Sequence, residues 1–227
     1  MSKSLIHEFL AKPMTGPEIE ARSFEIIDAE RTATTVPRDQ WEVIRRMIHT
    51  CGDPSIAPLV RFSPDAIQAG VAALRAGAPI YVDSNMIRGG LSLARLRSVC
   101  PAYTSAMITC NVAVPDVAAE SAQSGLPRSY FAVRKASETL KGGIAVFGNA
   151  PVALLELNRM IAEGEVKPAL VIGLPVGFVH VEESKTELMS LPVPSIVMTG
   201  RRGGSTLAVA TVHALCTVAE WTRKAAG

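Results

Sequence analysis

A chain of 227 residues, 48% of them apolar, can bury a sizeable core as one domain and need not divide into two. Its net charge of +2 is too small to argue for nucleic acid or a membrane surface as a partner. The cysteines, Cys51, Cys100, Cys110 and Cys216, show no CxxC pairing, which argues against a zinc site and for small buried hydrophobes; with no signal pattern and no apolar run of spanning length, a soluble cytoplasmic protein is expected.

In chain order, residues 1–14 read as irregular, with Pro13 discouraging an early helix. Thr15-Gly16-Pro17-Glu18 starts a helix that runs to Arg31 and turns Ile19, Phe24, Ile26 and Ile27 inward. Ser23 lies within it, where a helical serine usually faces solvent or bonds back to its own helix. Val36-Pro37-Arg38-Asp39 opens the next helix, to about Thr50, with Trp41, Ile44 and Ile48 in one apolar stripe. Arg46 and His49 are three apart and share a face. A histidine in a last turn is more often a partner of the helix dipole than a catalyst. A third helix runs from Ser63-Pro64-Asp65 to near Gly77.

Five strands follow: Pro79–Asp83, Thr104–Cys110, Ile144–Phe147, Ala169–Leu174 and Val193–Thr199. Runs such as Ile144–Phe147 do not alternate with polar residues, which suits strands covered on both faces of a parallel sheet. Helical periodicity fills 117–125 and 129–141, a helix follows Pro151, another starts near Glu182-Glu183, and the last runs from Ser205 to Lys224. The alternation of strand and helix predicts a single α/β domain over 1–227.

In such sheets ligands bind beyond the carboxyl ends of the strands. That directs attention to Asp83–Gly90, Gly148–Pro151, Pro175–Phe178 and Gly200–Ser205. In the last, glycines free the backbone, a helix begins at once, and Arg201 and Arg202 would suit an anion; the glycines could equally serve a tight turn. Neither GxxxxGK[ST] nor GxSxG occurs, and no GxGxxG follows the first strand. Asp83 shows no evident partner, and Lys185 could be a surface charge or reach a ligand.

The chain resembles precorrin-8X methylmutases, the precorrin isomerases of corrin biosynthesis, from Ile19 to the last helix. The resemblance rests on Arg22-Ser23-Phe24, Arg46-Met47-Ile48-His49-Thr50-Cys51-Gly52, Asn85-Met86, Gly148-Asn149-Ala150-Pro151, the run Gly173–Val179, Glu183-Ser184-Lys185 and Gly200-Arg201-Arg202-Gly203-Gly204-Ser205. It departs at Arg88-Gly89, where Ala-His is common. The resemblance implies a flavodoxin-like three-layer α/β fold with a five-stranded parallel sheet, and a homodimer with substrate near the interface. It implies transfer of a methyl group from C-11 to C-12 of precorrin-8X, or its cobalt form, to give hydrogenobyrinate or cobyrinate. His49 matches the acid/base residue, and Ser23 and Arg46 match substrate contacts; Asn85, Met86, Lys185, Arg201, Gly203 and Ser205 are further expected substrate-binding positions. No metal or cofactor is expected, because a sigmatropic shift needs a strained macrocycle and one proton donor, for which imidazole is suited. A non-catalytic tetrapyrrole carrier with the same pocket, and a generic anion-binding α/β protein, are the other classes to weigh.

Overall fold

The computed structural model describes residues 4–31 and 35–224. Its strands are β1 Val60–Phe62, β2 Ile80–Val82, β3 Ile108–Thr109, β4 Ile144–Phe147, β5 Leu170–Gly173 and β6 Ser195–Met198. The helices up to β4 are α1 Ile6–Ala11, α2 Gly16–Ala29, α3 Arg38–Cys51, α4 Ala66–Arg75, α5 Asn85–Gly90, α6 Leu93–Val99, α7 Pro115–Ser124, α8 Arg128–Arg134 and α9 Ser137–Leu140. After β4 come α10 Pro151–Ala162, α11 Val181–Ser190 and α12 Ser205–Lys224.

The sheet has six strands in the order β1-β6-β5-β4-β2-β3. β2 to β6 run parallel, while β1 pairs antiparallel with β6, Arg61 opposite Val197. The expected five-stranded, all-parallel sheet is therefore corrected to a mixed sheet of six. The extra strand is three residues held between the 3-10 turn Pro54–Leu59 and Ser63-Pro64, too short to stand out as a periodic run. The expected strand Thr104–Cys110 also shrinks, because Ser105–Met107 forms a 3-10 turn and leaves only Ile108–Thr109 to pair.

Every residue of β2, β4, β5 and β6 is buried, as apolar runs without alternation require. Side chains nevertheless separate by parity. Ile80, Val82, Ile144, Val146, Leu170 and Ile172 pack on one face against α3, α4 and α12, while Tyr81, Ala145, Phe147 and Val171 pack on the other against α8 and α10. The result is three layers with a core on each side of the sheet.

Helix ends follow their chemistry. Thr15 and Glu18 form a capping box at the start of α2, with the Thr15 N–H donating to Glu18 at 2.7 Å. Gly52 stops α3 in the left-handed conformation, φ 66°, its N–H bonded to Ile48 O. Two expectations at the amino end change. The segment 1–14, of which 1–3 lie outside the described residues, contains helix α1, and Ile19 and Ile26 of α2 are exposed rather than inward. Neither α1 nor α2 fully buries a residue; of the apolar side chains of α2 only Phe24, over Arg45 and Arg46, and Ile27, against the core, turn inward and are half-buried. Cys51 is likewise exposed, because it sits in the last turn of α3 beyond the buried stripe.

Gly203 marks the tightest backbone approach beside the strand ends. A Cβ there would stand 2.2 Å from Leu174 O and 2.6 Å from Pro175 O, and neither backbone atom can swing aside. Gly203→Ala should lower unfolding free energy by about 3 kcal/mol, the upper range of overpacking costs. Urea titration of the variant checks it; an unchanged midpoint would mean the loop has room that this geometry denies.

Candidate active site

The strand order reverses between β2 and β4, the place where ligands of open α/β sheets usually bind. Here that place is filled from within. Asp83, directly after β2, is 2% exposed and accepts the N–H groups of Gly148, Asn149 and Ala150 at 3.1, 2.8 and 2.6 Å. Burial pushes its carboxyl up from the ordinary range, and the three N–H bonds pull it back. Asp83 thus has partners, contrary to the sequence reading; they are backbone groups 65 to 67 residues away, which no spacing reveals. The next residue, Ser84, caps α5 through Ile87 N–H, and its hydroxyl lies 3.0 Å from that of Ser205. So 85–90, beyond the end of β2, is a short helix. Gly148 has no side chain to hold off the start of α12: a Cβ would meet Ser205 Cα at 2.8 Å.

A cavity of about 310 Å³ opens beside this junction, between α3, α5 and α12. Arg46 and Thr50, Met86 and Gly90, and Ser205, Thr206 and His213 line it. The structure therefore gathers three expected site residues, Arg46, Met86 and Ser205, in one place. Asn85 is exposed beside Met86 at the first turn of α5.

Arg46 is buried, and its charge is answered locally. Nη1 donates to Glu20 at 3.0 Å, while Nε lies 3.8 Å from Glu42 Oε1 and makes no hydrogen bond. Glu20 also pairs with Arg95 at 3.6 Å, so one carboxylate on α2 serves arginines from α3 and α6. Burial raises the Glu42 carboxyl, and Arg45 and Arg46 oppose that rise. One turn beyond Arg46, His49 is exposed, its ring edge-on to Phe24 at 5.3 Å. The Phe24 ring also lies 5.1 Å from the Arg46 guanidinium and 4.3 Å from that of Arg45. Ser23, beside Phe24, bonds back to Ile19 O at 2.8 Å.

Lys185, Arg201 and Gly203 form a second group at the ends of β5 and β6. Lys185 is 1% exposed, and its ammonium donates to Gly200 O at 2.8 Å and Arg202 O at 2.7 Å. It braces the glycine loop from beneath. Arg201 pairs with Glu182 at 3.1 Å and lies 5.5 Å from the Phe178 ring; Arg202 pairs with Asp53 at 2.7 Å. Both loop arginines thus hold protein carboxylates here. Phe178 itself is 84% exposed, with Val176 and Val179 exposed beside it.

Sequence reasoning passed over Glu20, Phe24, Arg95 and His213 as members of this site. Phe24 lay inside a quoted motif. Glu20 is one of four acidic residues on α2, Glu18, Glu20, Glu25 and Asp28, and only the packing of α2 on α3 sets it against Arg46. Arg95 and His213 carried no local signal, because only the packing of α6 and α12 brings them near Arg46.

Known proteins match this chain along most of its length. Residues 18–218 match the family model described as precorrin-8X methylmutase. A cobalt-precorrin-8 methylmutase of Priestia megaterium is 41% identical over 211 residues, covering 92% of each chain. A precorrin-8X methylmutase of Pseudomonas aeruginosa is 42% identical over 207 residues, 90% of this chain and 97% of its own. Among solved structures, a precorrin-8X methylmutase from Thermus thermophilus matches with a TM-score of 0.83 at 44% identity, over 91% of this chain and 98% of that one.

The buried brace has a pH signature. Burial lowers the Lys185 ammonium from 10.5 to about 8. Between those values the unfolded chain holds the proton that the folded chain has lost, so stability rises with pH there. Relative to Lys185→Met, which lacks this proton, the wild type should gain on the order of 3 kcal/mol across the window. Urea unfolding of both proteins at its two ends measures the difference, and no relative gain would show that the ammonium is not desolvated.

Proposed function

The chain belongs to the precorrin-8X methylmutase family, and from that premise we propose how its residues perform the isomerisation. The enzyme is an isomerase of cobalamin biosynthesis. Its reaction moves a methyl group from C-11 to C-12 of precorrin-8X, or of its cobalt form. The C-11–CH₃ bond breaks as the C-12–CH₃ bond forms, and the product, hydrogenobyrinate or cobyrinate, has the composition of the substrate. His49 lends a proton to the conjugated system during the shift and takes it back afterwards, which polarises the ring without a nucleophile. Arg46 binds one carboxylate arm of the substrate from the cavity wall, and Ser23, Asn85, Met86 and Ser205 contact the macrocycle around it. Arg201 captures a second arm by exchanging Glu182 for it, on a loop shaped by Gly203 and braced by Lys185. The observation that carries this reading is the pairing on α3: His49 and the cavity-lining Arg46 stand one turn apart against the same Phe24 ring.

A tetrapyrrole with its carboxylate arms is larger than a cavity of about 310 Å³, so only one edge enters it. The rest needs another cover. We read that cover as a second copy in a two-fold homodimer, with each site near the interface. The exposed apolar side chains of Leu5, just before α1, Ile6, Phe9 and Leu10 of α1, Ile19 and Ile26 of α2, and Phe178 support this. Counted alone, the five parallel strands follow the order 2-1-3-4-5, which supports a flavodoxin-like core with β1 appended. One sheet cored on both faces supports a single domain. No helix among the described residues is long and apolar enough to cross a membrane, which suits a cytoplasmic enzyme.

Two outcomes test the reading. His49→Asn leaves Arg46 and the cavity in place, so turnover should fall by about two to four orders of magnitude. Tetrapyrrole affinity should change far less, because one neutral hydrogen bond contributes only about 0.5–1.5 kcal/mol net. Single-turnover conversion of precorrin-8X beside product affinity separates the two; wild-type turnover in the variant removes His49 from the mechanism. Sedimentation at micromolar concentration should give a dimer, and a fully active monomer would refute the shared site.

A further inference from the structure

One histidine lines the cavity, at a position on the last helix that none of the family motifs contains. His213 lies on α12 and lines the cavity together with Arg46 and Met86. Its Nε2 accepts the backbone N–H of Ser92 at 3.0 Å. A backbone N–H can only donate, so Nε2 must present its lone pair, and the proton of the neutral ring sits on Nδ1. That Nδ1–H has no hydrogen-bond partner among the described residues.

The surroundings keep the ring in this form. Burial first, then the positive charges of Arg95 and Arg46, hold its pKa down to about 4, with Glu20 acting the other way. The charged groups facing it are thus Arg95 from α6, Arg46 from α3 and Glu20 from α2. His213 is therefore a donor with one tautomer and no charge at neutral pH. A polar wall of this kind, one guanidinium beside one oriented neutral donor, matches the two oxygens of a carboxylate.

We propose that His213 is a substrate-contacting residue, its Nδ1–H donating to one oxygen of the carboxylate arm whose charge Arg46 meets. This rests on the reading of the cavity as the place where the substrate edge enters. The guanidinium would supply most of the attraction, and His213 would fix which way the arm points.

Two substitutions separate the ring's two nitrogens. His213→Gln places an acceptor where Nε2 stood and can keep the Ser92 bond, but it removes the donor at the Nδ1 position. His213→Asn does the reverse. With hydrogenobyrinate as the probe, His213→Gln should weaken binding by about 10- to 100-fold, as loss of a hydrogen bond to a charged group does. His213→Asn should retain most of the affinity. Arg46→Ala is measured beside them. If Arg46→Ala loses binding while His213→Gln binds as wild type, the inference fails and the cavity stands. If both bind as wild type, the cavity reading fails and takes the inference with it. The wild type gives an independent check through ¹⁵N-imidazole NMR: at neutral pH His213 should show the Nδ1–H tautomer, and that proton should shift when hydrogenobyrinate is added. The Nε2–H tautomer, or no shift on binding, would overturn the proposal even if the variants failed to fold.

Discussion

The Asp83 carboxyl group accepts three successive backbone N–H groups, from Gly148 to Ala150, while buried from solvent. A charge there is costly unless it is fully hydrogen-bonded, and the amino end of α10 supplies the donors. The bond set ties the end of β2 to the end of β4 and aims Ser84 at Ser205. Three helix starts, those of α5, α10 and α12, therefore meet around one buried carboxyl group. In other open sheets a ligand phosphate can take such a place. Here the chain fills it with its own side chain, and the free space lies one layer out, between α3, α5 and α12.

Charge is distributed differently around that space. Glu20, Glu42, Arg45, Arg46 and Arg95 are joined pair by pair, with Arg46 buried at the centre. Helix α2 buries no side chain of its own. It is held by Glu20 on two arginines, by Asp28 on the Trp41 indole N–H at 2.7 Å and on Arg45, and by the Phe24 ring. These polar handles, the aromatic ring and the half-buried Ile27 make up the docking of α2 on the rest of the chain. The same helix carries Ser23 and Phe24 to the side of His49.

The sheet was legible because burial on both faces leaves a strong mark. Ile144–Phe147 and Leu170–Gly173 can only be apolar where helices cover both sides, and the prolines and glycines around them set the turns. The start of α2 at Thr15 and the stop of α3 at Gly52 were legible for a similarly local reason: capping is settled within four residues. β1 was not legible. Three residues carry no period of their own, and Val60–Phe62 is a strand only because the edge of β6 offers unpaired backbone groups. The exposed Ile19 and Ile26 show the opposite failure, a periodic apolar face that this chain alone does not cover.

Within the site the division is equally physical. Arg46 and His49 share a face because helical geometry puts residues three apart side by side, and the motifs around them pointed to the family without any coordinates. That much the sequence determined by itself, together with the strand–helix alternation and the run of the last helix from Ser205. Asp83 with its three N–H groups, Lys185 beneath the glycine loop, and His213 behind Arg46 were decided only by tertiary structure. Each depends on groups far apart in the chain meeting at hydrogen-bonding distance, and such a distance is fixed by how whole helices and strands pack, which no local pattern of residues encodes.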